Sequence, residues 1–257
     1  PVLWTHLIPA TMEGKAIHNV QNAMFAAAIA YSMGVELDDL RNGLRTFATS
    51  FFQTPGRMNL FEEHDFKVLM DYAHNPAAVK MIGKMVEQFE VKGRKTCVLA
   101  APGDRRDEDV YNIAVSAAPY FDHFICREDD GRRGRKVGEI SFMLKESLMK
   151  NGVDESCIET VPDETEAVDY ALQQSKEGDM LTIFADNIKR TWKQIIYFNS
   201  EDGKAVESKS SAAAQHKSVV DLSEDKSVSE EISNIMKGEI IRDERGVRVA
   251  MMEEDSD

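Results

Sequence analysis

Between Pro55 and Asn199, short apolar runs and stretches of helical periodicity take turns five times. The runs Phe66–Met70, Thr96–Ala100, Asp122–Arg127, Cys157–Val161 and Met180–Ala185 predict strands. Helical patterns follow them over Asn75–Phe89, Asp107–Ala118, Lys136–Lys150, Asp163–Ser175 and Asn187–Phe198. Within the first of these, Val79, Ile82, Val86 and Phe89 recur at helical spacing. Asp163 and Glu166 have the spacing of a capping box. Strands that are apolar along their length need cover on both faces, which alternating helices supply. The pattern therefore predicts an α/β fold, a doubly wound and mostly parallel sheet, with Met58–Glu62 as an added edge strand.

The flanks differ from this middle zone, and they set the expected organisation as 1–54, 55–199 and 200–257. In the first zone, Val2 to Ile8 reads as extended. One helix carries Val20, Ala23, Met24, Ala27 and Tyr31, with Gly34 placed as its terminator. A second carries Leu37, Leu40, Leu44 and Phe47. Two helices and a strand bury little by themselves, so this zone is expected to be the end of a domain that begins upstream. The chain is accordingly treated as part of a longer protein. The last zone has no aromatic residue and is rich in Ser, Glu, Asp and Lys, a composition that predicts an acidic, disordered tail. Within it, Val228, Ile232, Ile235 and Met236 hint at a helix and Val247–Ala250 at a strand.

Bulk properties exclude several classes. A formal net charge of −14 argues against non-specific nucleic-acid binding. No apolar run approaches the roughly 20 residues needed to span a bilayer, and no basic-then-apolar leader is present. Cys97, Cys126 and Cys157 are scattered and odd in number, which fits a reducing, cytoplasmic setting. The oligomeric state stays open, a homo-oligomer included. His6, His64, His123 and His216 show no metal-ligand spacing, and no G-x-x-x-x-G-K-[ST] phosphate loop occurs.

Chemistry concentrates where strands are predicted to end. Asp71-Tyr72-Ala73-His74-Asn75-Pro76 closes a strand, and Asn75 and Pro76 suit the cap and first position of a helix. Asp71 and His74 thus fall at the rim where open α/β sheets bind ligands. They serve equally well as a turn cap and a packed polar residue. Arg57, after Pro55-Gly56, offers a fork of donors to phosphate, though a linker arginine is commonly just exposed. In the loop from Ala101 to Asp109, Gly103 permits a tight turn, and Arg105 and Arg106 can hold a carboxylate or phosphate. The loop from Arg127 to Arg135 sets Arg132, Arg133 and Arg135 for an anion beside Asp129 and Asp130 for a cation, which suits a zwitterion. Both loops read alternatively as solvated, self-paired charge. Asn22, one turn into the first helix, can pair with a base edge or simply be exposed.

In order, His18-Asn19-x-x-Asn22, Pro55-Gly56-Arg57-Met58-Asn59 and Asp71-Tyr72-Ala73-His74-Asn75-Pro76 resemble the Mur ligase superfamily. Pro102–Asp109, and Glu128-Asp129-Asp130 through Arg133-Gly134-Arg135, are similar to its cyanophycin synthetase branch. The resemblance covers about Thr11 to Phe198. It implies an ATP- and Mg²⁺-dependent amide ligase that makes an acyl phosphate and lets an amine displace the phosphate. The amine it implies is arginine and the acceptor an aspartate-rich chain. By motif position, Asn22 would meet adenine, Arg57 the ATP phosphates, and Asp71 with His74 the ribose and phosphate region. Arg105 and the Asp129–Arg135 loop would hold the amino acid. The resemblance also places the phosphate loop and metal ligands in a central domain of which only the last portion lies here, so the chain alone is expected not to turn over.

Overall fold

The computed structural model describes residues 2–199, 239–243 and 246–250. It divides into one unit from Pro1 to Ala205 and another from Val206 to Asp257. In the first, helices α1 (Ile17–Ser32) and α2 (Leu37–Thr46) precede β1 (Asn59–Phe61) and β2 (Lys67–Asp71). Then come α3 (Pro76–Val86), β3 (Lys95–Leu99), α4 (Asp107–Ala117), β4 (His123–Cys126) and α5 (Glu139–Lys150). The unit ends with β5 (Ile158–Thr160), α6 (Glu164–Gln174), β6 (Met180–Phe184) and α7 (Ile188–Tyr197).

The sheet runs β1-β2-β6-β3-β4-β5, parallel throughout except for the antiparallel edge strand β1. Because side chains alternate along a strand, each strand feeds two cores. Leu69, Cys97, Leu99, Phe124 and Cys126 face the layer of α3, α4 and α5. Val68, Met70, Val98, Ile125 and Ile183 face α6 and α7. The doubly wound expectation is met, and so is the edge strand. Cys97 and Cys126 are fully buried, and burial pushes the Cys126 thiol up to about 12.

Local signals act as expected at several ends. The Asn75 side chain accepts from Ala78 N–H at 3.0 Å, with Pro76 opening α3. Asp163 accepts from Glu166 N–H at 2.9 Å. Gly34, at φ +86°, follows the end of α1. Two expectations are corrected. Val2 to Ile8 is not extended throughout, because Thr5–Leu7 forms a 3₁₀ turn and a second follows at Pro9–Thr11. The helix expected from Lys136 starts at Glu139, since Gly138 is left-handed (φ +82°) and holds the chain out of the helix until then.

The second unit shows strands β7 (Glu239–Asp243) and β8 (Gly246–Ala250) paired antiparallel. The strand-like run Val247–Ala250 lies in β8. The remainder of the expected disordered tail, with the helical hint at Val228–Met236, lies outside the described residues.

Candidate active site

Four neighbouring strands, β2, β6, β3 and β4, deliver their carboxyl ends to one cleft. It is lined by Tyr72 and His74 after β2, Pro102 and Arg105 after β3, Arg127, Asp129 and Arg133 after β4, and Asp186 after β6. This is the crevice that the sheet's winding creates, because β6 leads into the α6–α7 layer while its neighbours β2 and β3 lead into the opposite one. Of the strand-end residues singled out in sequence, His74, Arg105, Asp129 and Arg133 meet at this cleft.

Asp71 sits just behind this lining and is only 7% exposed. Its Oδ2 accepts from Met58 N–H at 2.8 Å, which clasps the end of β2 to the left-handed Met58 (φ +47°). Burial raises its carboxyl above the usual range, opposed by hydrogen bonds from Met58 and Ala73 N–H and by the Arg57 charge. Met58 Sδ lies 3.0 Å from His18 Nε2, and burial lowers the His18 pKa. His74 is half-buried, and its Nδ1 is 3.0 Å from Tyr72 O.

Asn22 and Arg57 line a different groove, walled by α1 and α2 through Ala23, Ala26, Ala27 and Leu44. The Asn22 Nδ2 donates to Asn19 Oδ1 at 3.0 Å. The Asn19 amide in turn donates to Ala10 O at 2.8 Å. The Arg57 guanidinium lies 5.5 Å from the Tyr72 ring centre, and the Tyr72 and His74 rings are 5.0 Å apart. These three residues link the groove to the cleft.

The loop arginines divide by what they pair with. Arg105 makes no side-chain hydrogen bond or ion pair with any described residue and is exposed at the cleft. Arg133 bonds Asp104 at 2.6 Å across the two loops, and that pairing holds the Asp104 carboxyl below its usual range. Arg135 reaches Gly103 O, Arg105 O, Asp107 and Glu139, so it straps one loop to the other. Arg106 folds back on Asp109 at 3.0 Å, outside the cleft lining. Arg132 stands 3.7 Å from Glu128 in an adjacent groove, together with Asp130. Asp130 is gripped by both Arg190 nitrogens at 2.8 and 2.9 Å, which lowers its pKa. Asp129 remains on the cleft. Burial raises its carboxyl, Arg127 lowers it, and Asp186 and Glu164 add to the rise.

Sequence reasoning missed Arg127, Glu164, Asp186 and Arg190 as site residues. Asp186 directly follows a predicted strand, and that position was the available signal. It carried no weight without knowing that β6 lies mid-sheet. Among the described residues, no group of three or more His, Cys, Asp or Glu is arranged to hold a metal ion. None of the described helices is long and apolar enough to cross a membrane.

Residues 56–187 match the family described as Mur ligase, glutamate ligase domain, just over half of the chain. The chain belongs to the Mur ligase family. Among similar proteins, the cyanophycin synthetase of Crocosphaera subtropica is 40% identical over 183 residues, 71% of this chain and 21% of that protein. That of Synechocystis is 38% identical over 184 residues, 72% and 21% respectively. A UDP-N-acetylmuramoyl-L-alanyl-D-glutamate–2,6-diaminopimelate ligase of Caldanaerobacter subterraneus is 29% identical over 65% of the chain and 33% of its own length. The chain thus spans about a fifth of the cyanophycin synthetases it matches. Among solved structures, Escherichia coli FolC in complex with DHPP and ADP superposes with a TM-score of 0.54 at 21% identity, over 72% of this chain and 39% of that one. That likeness concerns the fold.

Proposed function

We propose that this chain is the amino-acid-accepting segment of a cytoplasmic, ATP-dependent amide ligase of the cyanophycin synthetase kind, joining arginine to the side-chain carboxylates of an aspartate-rich acceptor. The zone 1–54 is read as the end of that enzyme's central domain and 55–199 as its C-terminal domain. The observation that carries the reading is the mixture of charge on one rim. Arg105 and Arg133 offer donors for a carboxylate, and Asp129 on the same lining can receive a cation. A free amino acid needs both.

The nucleotide is assigned to the α1–α2 groove. Its alanine wall suits the flat face of a purine, and the Asn22 amide can read the base edge. Arg57 would bind phosphate at the near end and His74 at the cleft, with Asp71 holding the turn between them. Bound ATP supplies the phosphoryl group that turns the acceptor carboxylate into an acyl phosphate. The amine held in the cleft then attacks the acyl carbon, phosphate leaves, and the amine's proton passes to solvent. The sequence has no phosphate loop and its described residues give no metal cluster. No Mg²⁺ ligand is therefore assigned to this chain, and by itself it should not turn over.

The test is arginine-dependent phosphate release in the longest chain that carries this sequence. Asn22→Ala and Arg57→Ala should raise KM for ATP, and Arg105→Ala should raise KM for the amino acid roughly tenfold or more, as expected for losing a charged hydrogen bond. A second reading, a ligase for another amino acid, is favoured by the similarity to a diaminopimelate ligase. Turnover with another amine and silence with arginine would decide for it.

A further inference from the structure

We infer that Glu164 and Arg127 form a buried positioning pair that sets Asp129 and Asp186 on the cleft and so makes it select a ligand with a cationic end. The inference rests on the cleft being the amino-acid site and adds the residues that tune it. Glu164, the first residue of α6, has a fully buried side chain. Its Oε1 accepts from Asp186 N–H at 2.6 Å and meets Arg127 Nη2 at 3.0 Å. Its Oε2 accepts from Asn187 N–H at 3.1 Å and from Arg190. One carboxylate therefore fixes the backbone of the loop that carries Asp186. Arg127, 1% exposed, donates from Nη1 to Glu128 O at 2.7 Å and to Asp129 Oδ1 at 3.3 Å, and from Nη2 to Phe184 O. It fixes Asp129 in the same way. Asp186 in turn accepts from Asp130 N–H at 3.3 Å, which joins the two loops.

The charges in this cluster do not balance. Two guanidinium groups, Arg127 and Arg190, stand among four carboxylates: Glu164, Asp129, Asp130 and Asp186. Asp130 is matched bidentately by Arg190, and Glu164 is matched by Arg127 and Arg190. Among the described residues Asp186 has no guanidinium bonded to it and Asp129 shares Arg127 with Glu164, while Arg133, bonded to Asp104, acts on both from the same cleft lining. A ligand with a cationic end would meet the two carboxylates on the cleft lining.

The test is calorimetric titration of the 257-residue chain with L-arginine and with L-citrulline, whose side chain has nearly the same shape and no charge. The wild type should bind arginine at least tenfold more tightly. Asp186→Asn should abolish that preference. Glu164→Gln, which keeps the shape, should weaken arginine binding by a similar factor and leave citrulline unchanged, and the double variant should be no worse than either single one. Equal affinity for the two ligands in the wild type, no binding of either, or effects that multiply in the double variant would overturn the inference. Should Glu164→Gln fail to fold, Asp186→Asn alone decides. Phosphate release driven by an uncharged amino acid in the longer protein would end this inference and leave the ligase reading standing.

Discussion

Helices α1 and α3 are both rich in apolar residues, yet only α3 buries its apolar face. Val79, Ile82, Met85 and Val86 of α3 are at most 3% exposed against the sheet. In α1, Met24, Phe25, Ile29 and Tyr31 are each at least 60% exposed, and among the described residues none of its side chains is buried. Apolar content reports that a surface requires cover, not that the cover is at hand. Patches of this kind commonly mark an interface. The exposed face of α1 is thus free to take a covering surface, whereas that of α3 is already spent on the sheet.

That contrast can be broken by truncation. Phe124, fully buried in β4, should cost about 3–5 kcal/mol on Phe124→Ala in urea unfolding. Phe25→Ala should stay within about 0.5 kcal/mol. A comparable loss from Phe25 would mean that α1 is covered after all. Next in size is Gly103→Ala, where an added Cβ would fall 2.1 Å from Arg132 O. The two strapped loops would have to part, and a loss of about 1–3 kcal/mol is expected, with weaker amino-acid binding.

A pH effect sharpens the picture inside the sheet region. The Asp71 carboxyl is raised from its ordinary 3.8 by burial, so the folded chain holds this proton more tightly than the unfolded one. Its stabilising contribution is complete below 3.8 and is lost as pH climbs through the raised value. Asp71→Asn should lack that component, so the stability difference should move in the variant's favour as pH rises through this window. A difference independent of pH would contradict the burial argument. The smallest effect belongs to the exposed Asp104–Arg133 pair. Asp104→Ala should leave Tm unchanged within error, because solvent screens such a pair.

Much of this molecule was legible beforehand, and the reasons are local. Asn75-Pro76 and Asp163 act within one turn of chain, so their roles follow from their neighbours. The two-sided core follows from strands that are apolar along their length. Converging loops followed from the rule that such sheets bind ligands at strand ends. What stayed hidden depends on strand order. Glu164 and Asp186 meet only because β6 is inserted between β2 and β3, and no short-range pattern encodes that. The separate fates of the arginines were equally illegible. Which of Arg105, Arg106, Arg132, Arg133 and Arg135 is left without a partner is settled by carboxylates up to 29 residues distant, such as Asp104 for Arg133.

The late arrival of β6 has a consequence for how the site comes into being. β2 and β3 share no hydrogen bonds; each pairs with β6 instead. As the polypeptide leaves the ribosome, the two halves of the cleft have no common wall until Phe184 has emerged. Binding competence should therefore appear abruptly once that strand is in place, and a chain cut before it would hold every rim residue up to Arg135 without a pocket to put them in.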